Sequence, residues 1–288
     1  MKRIGILAYI ERDGIGPIIR NFVRLAHDQD IELILEEPLR KIQGFNGVTF
    51  RPASDLARYS DIVVALGGDG TILRAARLVE TTQKPILGVN LGRLGFLAGA
   101  APEELRESLG RLKRGEYQLE ERMVLEAEIG NRTFFALNEF VIEKAVLARL
   151  VQVKSWVSET QFSSFFGNGI IVSTPTGSTS YNLSAGGPIL HPDLRAFVVT
   201  PICAHSLSLR PAVIPGSQSI TVQVIAEHTD IMVTADGTIV SPIQPEERVQ
   251  IRQADHNTRL INLQGLSFYE LLSRKLDWSL DRREPQES

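Results

Sequence analysis

Asp61-Ile62-Val63-Val64-Ala65-Leu66 runs without a break into Gly67-Gly68-Asp69-Gly70-Thr71. Residues 61–66 are almost wholly apolar, which predicts a strand buried on both faces, as in a parallel sheet. Residues 72–80 carry apolar side chains at helical spacing, so the glycine-rich segment joins a strand to a helix. In α/β folds such a junction lies at the carboxyl edge of the sheet, where ligands bind.

The neighbouring sequence repeats this alternation of strand and helix. Further strands are predicted at residues 4–8, 31–35 and 85–89, and a helix is predicted at residues 17–27. The order favours a doubly wound α/β domain at the N-terminus.

From about residue 118 the chain is rich in Val, Ile, Phe and Thr, and helical periodicity nearly disappears, which predicts a β-rich C-terminal domain. Its strands are predicted at residues 124–129, 133–137, 140–143, 151–157, 170–173, 196–200, 219–225 and 231–235. A C-terminal helix at residues 268–276 is expected to return to the first domain. The expected domains are residues 1–115 with 265–288, and residues 116–264, with 102–115 as the linker.

The composition is that of an ordinary globular protein. The chain has 288 residues, 43% of them apolar, and a net charge of −3, which gives no reason to expect nucleic-acid binding. Cys203 is the single cysteine, so neither an intrachain disulfide nor a thiolate zinc site is expected, and a reducing cytoplasm is indicated. No apolar run approaches the length of a membrane span or a signal peptide, and residues 281–288 form a polar tail.

The glycine-rich segment has the composition of a phosphate-binding loop. Gly67, Gly68 and Gly70 allow phosphate oxygens to approach the backbone, and Thr71 is expected to cap and begin the helix. The segment lacks the Gly-Lys-Ser/Thr of a P-loop and the Gly-x-Gly-x-x-Gly of dinucleotide sites. A simple tight turn is the alternative.

Asp69 is a carboxylate beside this phosphate site. It could accept the proton of an attacking hydroxyl, hold Mg²⁺, or do both, and these roles stay open. A second polar segment, residues 167–188, follows a predicted strand and crowds Gly, Ser and Thr together. It could line a ribose or polyanion pocket with Tyr181 stacked on a base, or it could be an ordinary loop.

These segments together resemble bacterial NAD kinases, the ATP-NAD kinase family. The similar stretches are Gly67–Thr71, Gly92–Leu97, Leu137–Glu139, Ser173–Tyr181 with Gly186–Pro188, Thr200–Leu207, and residues 268–278. They cover nearly the whole chain in the expected order. The resemblance implies transfer of the γ-phosphate of ATP, or of polyphosphate in some members, to the 2′-hydroxyl of the adenosine ribose of NAD, which gives NADP. It also implies Mg²⁺ or another divalent ion held mainly by nucleotide phosphates, and a homodimer or homotetramer.

The resemblance also implies the site residues. Asp69 matches the catalytic residue, and Gly67, Gly68, Gly70 and Thr71 match the phosphate loop. The implied NAD-binding residues are Asp69, Gly70, Phe96, Asn138, Glu139, Asn168, Thr179, Ser180, Tyr181 and Ser184.

The chain departs from the family pattern at three positions. Asn168 stands where Asp is usual, which removes a charge but keeps an acceptor oxygen. Ser180 replaces a common Ala, and Thr238 stands where Gln is frequent, so no role is carried onto Thr238. No histidine is assigned a catalytic role. Arg149 and Arg93 could contact phosphate, but a solvated arginine is the favoured interpretation of both.

Two other functions compete with NAD kinase. A lipid kinase of the diacylglycerol or sphingosine type shares Gly-Gly-Asp-Gly, but the Thr174–Thr179 loop and the lack of a basic amphipathic face disfavour it. A non-catalytic NAD(P) sensor is disfavoured by the intact Asp69.

Overall fold

The computed structural model describes residues 3–45, 47–92, 95–145, 150–226, 230–244, 246–263 and 265–278. The chain forms two compact units: the first contains the residues up to Glu120 and those from Arg259 onward, and the second is Glu121–Thr258. The predicted fold class, α/β with a β-rich second part, is confirmed. The expectations for Arg93, Arg149 and the tail at 281–288 lie outside the described residues.

The first unit is built on a parallel sheet. Its strands are β1 (Arg3–Ala8), β2 (Glu32–Glu36), β3 (Thr49–Arg51), β4 (Ile62–Gly67) and β5 (Ile86–Asn90). Its helices in this part of the chain are α1 (Ile15–His27), α2 (Ala53–Tyr59), α3 (Asp69–Val79) and α4 (Leu105–Arg114). The strands lie in the order β3-β2-β1-β4-β5 and pair in parallel. Because β1 lies between β2 and β4, the winding direction reverses there, and open α/β sheets bind ligands at the carboxyl ends of strands at such a reversal.

Burial explains the pattern of this unit. All six residues of β4 are buried, as its continuous apolar sequence predicted. Helix α1 buries one stripe that includes Ile19, Phe22 and Leu25, and these side chains join a cluster with Ile4 and other strand residues. Each helix thereby covers a sheet that could not remain exposed to water.

The second unit consists of antiparallel strands, the first of which begins, and the last of which ends, within the first unit. Its strands are β6 (Gln118–Ile129), β7 (Arg132–Ala136), β8 (Glu139–Lys144), β9 (Val151–Val157), β10 (Thr160–Gly167), β11 (Gly169–Ser173), β12 (Ala196–Ile202), β13 (Ala212–Pro215), β14 (Ile220–Ile225), β15 (Ile231–Ala235), β16 (Thr238–Ile243) and β17 (Arg248–Asn262), and it contains the short helix α5 (Tyr181–Ser184). One sheet has the order β13-β12-β11-β8-β15-β16, and β10-β9-β14-β17 form a second antiparallel run. Buried apolar side chains from both, among them Phe140, Phe197 and Val222, form one core cluster.

The last helix, α6 (Phe268–Leu276), belongs to the first unit. It begins with a capping box in which Ser267 accepts a hydrogen bond from the backbone N–H of Glu270, and Glu270 accepts one from Ser267. The residues predicted to form this helix match the observed ones. Among the described residues, no helix combines the length and the hydrophobicity needed to cross a membrane.

Candidate functional site

The glycine-rich loop makes a sharp turn at the carboxyl end of β4. A Cβ atom on Gly67 would lie 2.2 Å from Oγ1 of Thr71, so a side chain at this position would collide with the first turn of α3. The carbonyl of Gly67 accepts a hydrogen bond of 3.1 Å from the N–H of Leu91, which ties the loop to the segment after β5. The protein's own packing therefore requires glycine at position 67.

Gly68 and Gly70 are glycines for a different reason. A Cβ atom on either residue would meet no atom within 4 Å, and neither residue has a positive φ. Neither packing nor backbone conformation therefore demands glycine, and the space is open to a ligand that approaches the backbone closely.

The start of α3 corrects one sequence prediction. Thr71 was expected to cap the helix, but α3 begins at Asp69 with Gly68 as its N-cap. The prediction was wrong because it took the first hydroxyl residue as the cap, whereas here an extended glycine serves. Asp69 therefore lies in the first turn, where the positive end of the helix dipole and unpaired N–H groups favour negative charge.

The carboxylate of Asp69 is fixed by the segment after β5. Its Oδ2 accepts a hydrogen bond of 3.0 Å from the N–H of Phe96, and its Oδ1 accepts one of 3.2 Å from the N–H of Leu97. A Cβ atom on Gly95 would lie 2.0 Å from Oδ1. Half-buried Phe96 packs under Lys275, whose Nζ is 4.9 Å from the ring centroid. We call Asp69, Gly95, Phe96 and Leu97 the Asp69 cluster.

Two arginines near this edge were missed by sequence reasoning. Arg74 on α3 forms a two-pronged ion pair with Glu36 at the end of β2, with N–O distances of 2.5 and 3.2 Å. Glu36 is buried, and its Oε1 also accepts a hydrogen bond from the N–H of Ala8. Arg12 in the loop after β1 donates to the carbonyl of Leu91. An acidic residue that ends an apolar strand was the available signal for Glu36.

A second group of polar residues lies in the second unit, at the start of β8. The carboxylate of Asp236 accepts hydrogen bonds from three successive backbone N–H groups: Leu137 at 3.0 Å, Asn138 at 2.7 Å and Glu139 at 3.3 Å. Asp236 and Gly237 both have positive φ and form the tight turn between β15 and β16. No functional role was predicted for Asp236 from the sequence, although an Asp-Gly pair is a strong signal for a β-hairpin turn.

The side chain of Glu139 is buried, and only one of its two carboxylate oxygens has a hydrogen-bond partner among the described residues. Glu139 is 4% exposed, and its Oε1 accepts a hydrogen bond of 3.1 Å from the hydroxyl of Ser180. Its Oε2 has no partner within the described residues. Burial, and to a smaller degree the charge of Asp236, raise the pKa of Glu139 to about 8, whereas the Ser180 hydrogen bond opposes this shift. We call Asn138, Glu139, Ser180 and Asp236 the Glu139 cluster.

The loop after β11 is held in place by its own hydrogen bonds. Thr174 Oγ1 donates to the carbonyl of Leu137 and accepts from the N–H of Gly177. A Cβ atom on Gly177 would lie 2.1 Å from the carbonyl oxygen of Asn138, so the loop and the start of β8 are in close contact. Buried Asn182 donates to the carbonyls of Ser178 and Pro188. These hydrogen bonds fix the conformation of the loop between Thr174 and Pro188.

The other predicted NAD-binding residues of the second unit have varied surroundings. Tyr181 is 38% exposed, and burial, followed by the negative charge of nearby Glu143, raises its pKa. Ser184 is exposed, and Thr179 Oγ1 donates to the carbonyl of Thr176. Asn168 lies at the opposite end of β11 from the Glu139 cluster, because Gly169 pairs with Glu143 and Ser173 with Glu139. The second unit thus brings Asn138, Glu139 and Ser180 together but keeps Asn168 apart from them.

An α/β unit with a glycine-rich loop and a fixed carboxylate, and a β-rich unit with a buried carboxyl that has one unpartnered oxygen, fit the class of phosphotransferases that act on an alcohol group. Residues 5–117 match the ATP-NAD kinase N-terminal domain, and residues 137–263 match the ATP-NAD kinase C-terminal domain. The chain belongs to the ATP-NAD kinase family.

Individual relatives agree with this assignment. The chain is 38% identical to an NAD kinase of Geobacter metallireducens over 96% of this chain and 99% of that protein. It is 36% identical to an NAD kinase of Caldanaerobacter subterraneus, with the same coverage. The lipid-kinase alternative receives no support from these relatives.

Two solved structures share the fold. Yeast NADH kinase complexed with NADH has a TM-score of 0.91 at 20% identity, covering 100% of this chain and 90% of that one. An NAD kinase from Archaeoglobus fulgidus in complex with ATP has a TM-score of 0.76 at 24% identity, covering 96% and 98%.

Proposed function

We propose that this chain transfers the γ-phosphate of ATP to the 2′-hydroxyl of the adenosine ribose of NAD, with NADP as the product. Family membership supports the reaction, and the two related structures, solved with ATP and with NADH, support the substrates. The observation that carries the proposal is the Asp69 carboxylate, fixed by two backbone N–H groups beside two glycines with open space.

Asp69 is the catalytic residue in this proposal. Each carboxylate oxygen keeps a free lone pair after it accepts one backbone N–H, so the side chain can accept a hydrogen bond from the ribose hydroxyl. Phosphoryl transfer depends mainly on positioning and charge neutralisation, so Asp69 orients the hydroxyl and takes its proton as the phosphorus–oxygen bond forms. Rigid attachment to Phe96 and Leu97 preserves this orientation.

The phosphates of the donor lie against the glycine-rich loop. Gly68 and Gly70 present bare backbone, and the first N–H groups of α3 face negative charge. Gly67 allows the tight turn against Thr71. The hydroxyl of Thr71 is the polar side-chain group where the loop enters α3. These four residues are the phosphate-binding set.

Each unit contains residues that carry NAD-binding roles in this proposal. In the first unit they are Phe96 and Gly70, in addition to Asp69. In the second unit they are Asn138 and Glu139, which are assigned to the ribose, and the buried Oε2 of Glu139 has no partner among the described residues. Thr179, Ser180, Tyr181 and Ser184 form the neighbouring wall, with Tyr181 exposed for stacking, and Asn168 lies toward the amide end of the nucleotide.

A divalent cation such as Mg²⁺ accompanies ATP. Within the part of the chain that the structure describes, no three His, Cys, Asp or Glu side chains are grouped to hold a metal ion. Mg²⁺ needs only one or two carboxylates when phosphates supply its other ligands, and Asp69 is the acidic residue of the loop, so these residues fit a metal carried mainly by ATP. When bound, the ion neutralises charge on the transferring phosphoryl group.

The active species is a homodimer or homotetramer in the cytoplasm. The edge strands β13 and β16 expose the apolar side chains of Val213 and Ile239, which supports association between copies through the second unit. The single cysteine supports a reducing compartment.

The proposal is tested by incubating the protein with ATP, Mg²⁺ and NAD and measuring NADP with an NADP-specific dehydrogenase. We expect NADP to form in proportion to ATP consumed. Well-folded protein that consumes no ATP and forms no NADP would reject the proposed reaction.

A further inference from the structure

The buried carboxyl of Glu139 has one oxygen without a hydrogen-bond partner among the described residues, which is unusual inside a protein. It occupies the first position of β8, is almost fully buried, and has an Oε2 atom without a partner in the described chain. A buried polar atom without a hydrogen bond costs folding free energy and is therefore rare in native structures. No described residue satisfies this oxygen, which points to a partner from outside them, either a buried water or a bound ligand.

The orientation of this carboxyl is set from two sides. On the backbone side, Asp236 accepts hydrogen bonds from the N–H groups that lead into β8, including that of Glu139. On the side-chain side, the Ser180 hydroxyl donates to Oε1. Ser180 is itself immobilised, because its N–H donates to the carbonyl of Gly177 at 2.8 Å, and Gly177 packs directly on the carbonyl of Asn138.

The charges around Glu139 determine which atom carries a proton. The turn between β15 and β16 contributes a second carboxylate, Asp236, whereas the loop after β11 contributes the hydroxyl of Ser180. With burial and a like charge, the pKa of Glu139 is about 8, so the group is a neutral acid at neutral pH. Because Oε1 accepts from Ser180, the proton resides on Oε2, which then becomes a hydrogen-bond donor.

We propose that Ser180 is a positioning residue for NAD recognition: it holds Oε1 of Glu139 so that Oε2 forms a hydrogen bond with a ribose hydroxyl of NAD. This inference rests on the proposed function. Burial and the neighbouring carboxylate of Asp236 favour the neutral acid over the ionised carboxylate at this position. The role of Glu139 is thus donor rather than acceptor.

The test measures NAD affinity by titration calorimetry for the wild type, Ser180→Ala, Ser180→Thr and a matched control, Ser164→Ala. Ser164 is a hydrogen-bonded serine on β10, outside the Glu139 cluster. We expect Ser180→Ala to weaken NAD binding roughly threefold to tenfold, the effect of one hydrogen bond, and Ser180→Thr to restore most of it. The KM for NAD changes in parallel, whereas the KM for ATP and kcat change little. Equal Kd values for wild type and Ser180→Ala, with both proteins folded by thermal melting, would overturn the proposal.

Proton uptake provides a readout that a merely structural role would not affect. Near pH 8.5, titrations in buffers of different ionisation enthalpy should show that the wild type takes up a fraction of a proton as NAD binds, because binding favours the protonated acid. Glu139→Gln should abolish this uptake. Since the Ser180 hydrogen bond lowers the pKa of Glu139, Ser180→Ala should move the pH above which NAD affinity falls to a higher value. Proton release, or no proton exchange in the wild type, would contradict the donor role. Failure of the proposed reaction can be distinguished from failure of the Ser180 proposal, because the wild type would then form no NADP.

Discussion

Replacing Gly95 by alanine places a methyl group against the carboxylate of Asp69. The new Cβ atom would lie 2.0 Å from Oδ1, 2.7 Å from Cγ and 2.9 Å from Oδ2. Ordinary contact begins at 3.4 Å, so the nearest oxygen and the methyl group must separate by about 1.4 Å more. Gly95 has no positive φ, so the substitution acts through this collision rather than through the backbone conformation.

The displaced carboxylate loses its alignment with Phe96 and Leu97, the donors of its two hydrogen bonds. Misplacing a catalytic group by about 1 Å costs roughly a hundredfold in rate. We therefore expect kcat of Gly95→Ala to fall about a hundredfold, which corresponds to about 2.7 kcal/mol of activation free energy. The unfolding free energy should fall by only about 1–3 kcal/mol, since the lost hydrogen bonds have a charged acceptor.

The assay is steady-state NADP formation at saturating ATP and NAD, with thermal melting of each protein. Gly110→Ala in α4 is the matched control, because the nearest atom to its new Cβ is the end of the flexible Arg114 side chain at 3.2 Å. The control should keep the wild-type kcat and gain up to about 1 kcal/mol of stability from helix propensity. If Gly95→Ala keeps kcat within about threefold of wild type, the rate does not depend on the observed position of the Asp69 carboxylate, and the catalytic role proposed for that position is refuted.

Three further outcomes follow from the geometry. Gly70→Ala should fold normally, because its Cβ meets no protein atom, but should raise the KM for ATP about tenfold or more; an unchanged KM would show that no phosphate approaches there. Arg74→Met should lower the free energy of unfolding by about 1–3 kcal/mol in urea titrations, since it leaves the buried Glu36 carboxylate without its partner; no change in stability would contradict this. The pKa of Glu139 rises from 4.5 to about 8 on folding, so the folded state retains a proton that the unfolded state loses, and stability should decline as pH rises from about 4.5 to 8. Glu139→Gln should flatten this decline, and an identical pH profile in the variant would disprove the burial of an acid at this position.

Local sequence patterns predicted the structure correctly where the conformation of a segment depends mainly on its own residues. The buried strand, the glycine-rich loop and the helix from β4 to α3 were predicted because continuous apolar sequence, glycine and helical periodicity are all local signals. The long strand β17 was missed because charged residues occupy its exposed positions and some half-buried ones. Arg252 is such a residue. Its ion pair with Glu126, which is far away in the sequence, compensates the charge of this partly buried side chain.

The candidate site was only partly predictable for the same reason. Asp69 and Glu139 were identified through the resemblance to a family, but their fixation depends on partners distant in the chain. Asp236 binds N–H groups 97 to 99 residues earlier, and Ser180 reaches Glu139 across 41 residues. Such contacts depend on the register of β8 with β11 and β15, which no local periodicity specifies.

In the proposed reaction, Asp69 orients the ribose hydroxyl and accepts its proton. The most direct measurement of this role is the single-turnover rate of NADP formation for wild type and Asp69→Asn with ATP, Mg²⁺ and NAD all saturating, together with the Kd of each protein for NAD. We expect a rate at least about a hundredfold lower in the variant, with NAD affinity changed by no more than about tenfold. A variant that forms NADP at the wild-type rate would contradict this role of Asp69.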